Sequence, residues 1–249
     1  GWSTATGPDG LVVGTAVGAA LDGPRHTVTF RAVDRRGEHT SVPVIVLFGE
    51  DFRSDLIAWL PEWMDAVSFE VEEGTYVLNA IIEDGVPLDE QATFITDPEL
   101  RVTGDIEILL DARTGTPIRI ETPEPAEQQA IISYYEHRRH ANGRVTNHGV
   151  MHFSTVQQVN VTPTRPVSEG EYEFSSRWQL VAPMVQAEVK GVDGPLDINL
   201  LHQSPVYEGR RSFPLVAAGT GRPEELAAAP VAGAAVLMTA ADDRSEQEQ

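Results

Sequence analysis

Ala66-Val67-Ser68-Phe69-Glu70-Val71-Glu72-Glu73-Gly74-Thr75-Tyr76-Val77-Leu78-Asn79-Ala80-Ile81-Ile82-Glu83 is the stretch that decides the fold. Apolar and polar residues alternate as far as Glu72, Glu73-Gly74 supplies a turn, and a second run rich in β-formers follows from Thr75. Side chains on a strand point alternately to opposite faces, so this pattern specifies two strands and a hairpin. Helical periodicity is nearly absent over the rest of the chain as well.

The same signal recurs in both directions. Upstream, strands are expected over Leu11–Ala16, His26–Asp34 and Val42–Phe48; downstream, over Gln91–Thr96, Asp105–Asp111 and Pro117–Glu121. A second set covers Gln128–Arg138, Val145–Thr155, Val159–Thr162, Glu171–Leu180, Val185–Lys190, Leu196–His202 and Ser212–Val216. Asp9-Gly10, Asp34–Gly37, Asp84-Gly85, Asn142-Gly143, Glu169-Gly170 and Asp193-Gly194 separate them with turn chemistry. Many short strands at this spacing predict antiparallel sandwiches. Thr122-Pro123-Glu124-Pro125 reads as a linker, because proline cannot donate to a ladder and holds its predecessor extended. Val71–Tyr76 is echoed by Val167-Ser168-Glu169-Gly170-Glu171-Tyr172, where a positive-φ glycine and a buried tyrosine with its hydroxyl on backbone are expected. From about Gly221 the pattern changes: Pro223–Ala229 reads as a short helix with acids in its first turn, and Ala234–Thr239 as a buried strand. The expected fold class is therefore mainly β, with two antiparallel β-sandwich domains followed by a truncated α/β segment. The divisions fall at 1–23, 24–122, 123–218 and 219–249.

Charge narrows the function. The chain of 249 residues carries 18 basic and 38 acidic side chains, a net charge of −20. Phosphate backbones and anionic lipid would repel it, so no nucleic-acid partner is expected. The longest apolar run, Leu11–Leu21, is far short of the ~20 residues a membrane helix needs, so no membrane span is expected. There is no cysteine, hence no disulfide framework or thiolate nucleophile. Arginine outnumbers lysine seventeen to one, Lys190 being the single lysine, a bias that GC-rich codons produce. The chain opens on Gly1-Trp2-Ser3-Thr4 without an initiator methionine and reads as part of something longer.

A search for chemistry yields two candidates. There is no G-x-S-x-G elbow, calcium loop or phosphate-cradling glycine loop, and the paired acids at Glu50-Asp51, Glu72-Glu73, Glu83-Asp84 and Asp89-Glu90 read as charged hairpin ends. Four of the seven histidines, however, fall between His137 and His152. With Asn142-Gly143 as a two-residue type I′ turn, His137 lies opposite His148 and Ser133 opposite His152. His148 and His152 then share one face, with Ile132, Tyr134, Met151 and Phe153 on the other. His137, His148 and His152 are thus candidate metal ligands, weighed against an exposed polar hairpin face. The second candidate is Trp59 and Trp63, flanking Pro61-Glu62 in what reads as a loop. That loop is either a contact site for carbohydrate or peptide, or a cover over the sandwich end.

The stretches His26–Gly37, Val71–Tyr76, Pro98–Asp105 and Leu110–Pro117 together resemble a known region. They are similar to the non-catalytic extension that follows the peptidase core in large secreted actinobacterial subtilisin-like serine peptidases. The first unit resembles the carboxypeptidase-regulatory, transthyretin-like β-sandwich, and Glu224–Asp243 the beginning of a protease-associated domain. The family's catalytic Asp, His and Ser contexts match nothing here, so no catalytic residue carries over. The resemblance implies a secreted accessory region without cofactor, partnered by the protein or peptide substrate of its peptidase. The alternatives are a stand-alone extracellular carbohydrate- or peptide-binding module and a histidine-ligated metal-dependent hydrolase.

Overall fold

The computed structural model describes residues 2–6, 12–17, 23–86, 89–153, 156–196, 198 and 208–239. The chain is mainly β and divides into two compact units, Gly1–Met184 and Val185–Gln249.

Among the described residues the first unit holds three sheets. The largest orders its strands β1 (Trp2–Thr6), β2 (Val12–Val17), β5 (Leu56–Leu60), β4 (Val42–Gly49), β7 (Gly74–Val86), β8 (Asp89–Val102), β13 (Val156–Val161) and β10 (Thr116–Pro117). A second sheet runs β6 (Val67–Glu72), β3 (Arg25–Val33) and β9 (Ile106–Asp111). The third runs β12 (Val145–His152), β11 (Glu127–Arg139) and β14 (Glu171–Val181). Pairing is antiparallel except between β3 and β9 and between β8 and β13.

The large sheet is a shared middle layer. One of its faces supplies Ile45, Leu47, Leu56, Ala58, Leu60, Leu78, Ala80 and Ile82 to a core closed by Val28, Phe30, Val67, Phe69 and Leu110. The opposite face supplies Ile81, Ala92, Phe94, Val156 and Val159 to a second core under Ile132 and Tyr134. Alternation explains both at once: Leu78, Ala80 and Ile82 point one way along β7, and Ile81 the other. The two sandwich cores are therefore both present, but they are built on one sheet. The 122–125 segment is exposed and bends at Pro123-Glu124, outside any strand, yet the compact unit continues through it to Met184.

Several local expectations change. Leu56–Leu60 is a strand, not a loop. Gly85, expected to turn the chain, lies inside β7 at φ +111. The expected strand Val185–Lys190 is irregular, and Asp197 and Asn199–His202 of the next lie outside the described residues, as do the Asp9-Gly10 turn, Leu11 of the first strand, Ser154-Thr155 and Ala240–Asp243 of the C-terminal segment. In the echoed motif, Tyr76 donates its hydroxyl to the Glu72 carbonyl at 2.9 Å, as expected, whereas Tyr172 reaches the Glu136 carboxylate at 3.0 Å. Gly170 has φ +74 and Gly74 does not take positive φ.

The second unit contains β15 (Leu215–Ala217), the helix α1 (Pro223–Ala228) and β16 (Ala235–Leu237), with β15 and β16 parallel. Glu225 caps α1 by accepting from the backbone of Arg222 at 3.0 Å and of Thr220 at 2.9 Å. The helix and strand follow the change of pattern at Gly221, but the strand is only Ala235–Leu237 and is not buried as expected: Leu237 and Met238 are exposed.

Candidate functional site

Every residue of β5 is apolar, but only alternate ones enter the core. Leu56, Ala58 and Leu60 are buried; Ile57 and Trp59 are 54% and 42% exposed and face the side of the middle sheet on which β11, β12 and β14 pack. Phe52, in the 3₁₀ turn Phe52–Ser54 just before β5, is 69% exposed. Trp63 occupies a tight turn in which Met64 N–H donates to the Pro61 carbonyl at 3.1 Å; Met64 is buried and Trp63 projects outward. Among the described residues neither tryptophan enters a ring pair, so they do not form a stacked platform. Sequence reasoning found both but missed Phe52 and Ile57. The alternation of β5 is invisible there because all five residues are apolar.

A hairpin tip latches onto this region. Arg144 pairs both guanidinium nitrogens with the Asp55 carboxylate, Nη1 to Oδ1 at 2.8 Å, and also donates to the Gly49 carbonyl. Its guanidinium carbon stands 5.9 Å from the centre of the Phe52 ring, and Asn142 donates to the Glu50 carbonyl at 2.7 Å. Both ion-pair partners are largely buried. Arg144→Ala would leave the Asp55 carboxylate buried against only the Gly49 N–H at 3.0 Å. A loss of about 2–4 kcal/mol in urea unfolding is expected, with Arg144→Lys intermediate because it cannot pair through two nitrogens.

The same tip corrects the histidine register. His140 N–H donates to the Arg144 carbonyl at 2.8 Å, Gly143 N–H to the His140 carbonyl at 2.9 Å, and Gly143 has φ +86. That is a three-residue loop with a glycine bulge, one residue longer than a type I′ turn. Each partner therefore shifts by one: Asn147 faces His137, His148 faces Glu136 and His152 faces Ile132. A one-residue slip exchanges faces. His148 and His152 now point inward with Ile132 and Tyr134, while His137 is outward, bonded to Asn147 Oδ1 at 2.9 Å. His148 and His152 are four residues apart on one strand, about 13 Å, too far for both to reach a single ion. Among the described residues no three His, Asp or Glu side chains gather.

The inward face is instead a polar seam between the middle and third sheets. The Glu136 carboxylate accepts from Thr96 Oγ1 at 2.6 Å and from the Tyr172 hydroxyl at 3.0 Å; burial raises its pKa. The buried Asn79 amide lies beside it and, with Thr96 and Tyr172, opposes that rise. The His148 ring stacks on Phe94 at 6.2 Å and packs against Phe48 at 6.0 Å, with its buried Nε2 unpartnered. His152 meets the Tyr134 hydroxyl at 3.1 Å and Glu83 at 3.6 Å. Burial lowers the pKa of both. His140 is held down to about 4 by burial first and then by Arg138 and Arg144. Arg138, itself buried, donates to the carbonyls of Pro98 at 3.0 Å, Glu169 at 2.8 Å and Glu171 at 3.2 Å, and to that of Arg139. These groups tie the layers together.

No family model matches this sequence, and neither does any curated protein. Among solved structures, the crystal structure of a DUF3823 family protein from Parabacteroides merdae ATCC 43184 is similar at 10% identity. The match covers 63% of this chain and 82% of that one, with a TM-score of 0.26.

One signal for the latch region was available in the sequence. Asp51-Phe52-Arg53-Ser54 and Asp111-Ala112-Arg113-Thr114 are the same local device. In each, the Asp accepts from the backbone N–H two residues on, the Arg folds back onto that carboxylate, and the hydroxyl bonds the Asp carbonyl. Arg53 draws the Asp51 pKa down to about 2. The motif predicts two rigid 3₁₀ turns, and the first of them displays Phe52.

Proposed function

We propose that this chain is a non-catalytic accessory module of a secreted subtilisin-like serine peptidase, and that it holds protein or peptide substrate on the outward face of β5. The observation that carries the binding half is the exposure of Phe52, Ile57 and Trp59 beside the Arg144 latch. Large apolar side chains held out on rigid elements are what interaction surfaces use. The peptidase half rests on the resemblance of residues 26–37, 71–76, 98–105 and 110–117.

Titration of the 249-residue chain with linker histone, a largely disordered basic protein without tryptophan, followed by tryptophan fluorescence, tests the reading. Trp59→Ala should weaken binding about tenfold or more. Leu109→Ala, an equally exposed residue on the far sheet, should leave it unchanged. Absence of linker-histone binding, or binding indifferent to Trp59→Ala, refutes the assignment.

A further inference from the structure

The exposed floor of β5 lies beside an unprotected sheet edge. In the third sheet, β12 has β11 on one side and, among the described residues, no strand on the other. Its position over the middle sheet follows from contacts: His148 packs on Phe48 of β4, Arg144 just before β12 is bound at Asp55, and Phe174 of β14 stacks on Phe94 of β8. The third sheet therefore lies with β12 toward β4 and β5, and β14 toward β8 and β13. Beyond β12 the middle sheet continues uncovered through Ile57 and Trp59. The result is a step: an apolar floor with a free strand edge as its wall.

Edges are normally blunted by charge or proline. β14 carries Glu171, Glu173 and Arg177; β6 carries Glu70 and Glu72; β9 carries Glu107 and Asp111; β10 ends in Pro117. β12, Val145-Thr146-Asn147-His148-Gly149-Val150-Met151-His152, has neither proline nor a formal charge among Asp, Glu, Lys and Arg; β1, β15 and β16 lack them too, but β12 is the one that borders the exposed Ile57 and Trp59. This is in a chain where acids alone number 38. Its outward side chains Val145 and Met151 are also exposed.

We propose that β12 accepts an extended, basic peptide segment as an added strand, whose alternate apolar side chains rest on Ile57 and Trp59. This rests on the binding-module reading and names its mode. Backbone pairing supplies affinity and alternate pockets supply preference, as in other strand additions. Charge selects the occupant. Glu50 stands just before the Phe52–Ser54 turn at one end of β5 and Glu62 just past the other, and no ion pair engages either among the described residues; Arg53 is turned onto Asp51 and Arg144 onto Asp55. A second copy would bring another net charge of −20 to the same edge.

The test uses the whole 249-residue chain and three synthetic peptides, each the length of β12: alternating Val-Arg, the same peptide N-methylated along one backbone edge, and alternating Val-Glu. Calorimetry at 0.15 M salt gives affinity, and amide exchange reports β12. The Val-Arg peptide should bind and slow exchange in β12, and Trp59→Ala should weaken it about tenfold. Methylation should cost at least about tenfold, since it removes edge donors, and Val-Glu should bind more weakly still. Equal affinity of the methylated peptide, with dependence on Trp59 retained, overturns strand addition and leaves the module reading standing. Equal affinity of Val-Glu overturns the charge selection. Failure of Val-Arg to bind overturns the inference outright, with the linker-histone titration deciding the broader reading separately. Self-association protecting β12 in the absence of peptide assigns the edge to a second copy and overturns it too.

Discussion

Gly170→Ala should destabilise the first unit by about 3 kcal/mol or more, while Gly143→Ala should cost about 1 kcal/mol. Both glycines have positive φ, +74 and +86, so the backbone strain of an L-residue is common to the two substitutions and cancels in the comparison. What differs is space. A Cβ on Gly143 meets nothing within 4 Å, whereas one on Gly170 would lie 2.0 Å from the Arg139 carbonyl oxygen and 2.6 Å from Arg138 Nη1. Neither neighbour can yield cheaply. The carbonyl belongs to β11, the central strand of its sheet. The guanidinium is buried, and its donors are divided among the carbonyls of Pro98, Arg139, Glu169 and Glu171. Moving it strands a buried cation and unsatisfies carbonyls on two layers. The Pro98 carbonyl matters most, because Pro98 sits where the β7–β8 register shifts and Arg138 fastens that irregularity to the third sheet. Urea midpoints of the two variants, with the m-value checked for constancy, decide the matter; equal losses would mean that the crowding at Gly170 is relieved without cost.

That glycine shows how the sequence is and is not legible. Glu169-Gly170 was readable as a turn, and the alternation of Val67–Glu72 and the run of Thr75–Glu83 were readable as strands, because each is a local signal. The partner of the turn, Arg138, lies thirty-two positions earlier, and nothing local marks it as anything but one of two adjacent surface arginines. β7 could be recognised as a strand but not as one buried on both faces: Asn79 interrupts the apolar run and suggests a wet side, whereas it is buried beside Glu136. The hairpin around Asn142-Gly143 was found and its register missed, because Asn-Gly serves a two-residue turn and a three-residue loop with a bulge equally well. For the histidines that single residue is decisive, since it turns His148 and His152 from a polar face into the seam. Trp59 was singled out by its residue type; Ile57 and Phe52 needed the strand and the 3₁₀ turn to show that they stand out rather than in.

Acidification from pH 7 to about pH 4.5 should weaken the seam between the middle and third sheets, through histidines that the fold keeps neutral. His140, His148 and His152 all have folded pKa values below the ordinary 6.5, in each case chiefly because burial penalises the charged ring. For His140 the neighbouring cations Arg138 and Arg144 push in the same direction and Asp55 opposes; for His152, Glu83 and Glu90 oppose. A lowered histidine pKa means that the unfolded chain binds protons first. The contribution is fully present above about pH 6.5 and is lost as the pH falls toward the folded values, about 4 for His140. Glu136 has the opposite sign. Its raised pKa makes the folded state hold a proton the unfolded chain has released, so its contribution grows as the pH drops through the same window and partly offsets the histidines. Asp51 and Glu99, lowered to about 2, titrate below it. Three imidazoles could give at most about 4 kcal/mol per pH unit, and about half that once partial solvent access and Glu136 are allowed for. The urea midpoint should therefore fall steadily below pH 6.5. His148→Phe is the informative variant: it keeps an aromatic ring between Phe48 and Phe94, removes the unpartnered Nε2, and should flatten the slope by about a third. A midpoint unchanged between pH 7 and pH 5 would show that these rings are solvated enough to charge in place. A decline that His148→Phe leaves untouched would move the effect to His140 and His152, where Tyr134, Arg138 and Arg144 are the neighbours to test.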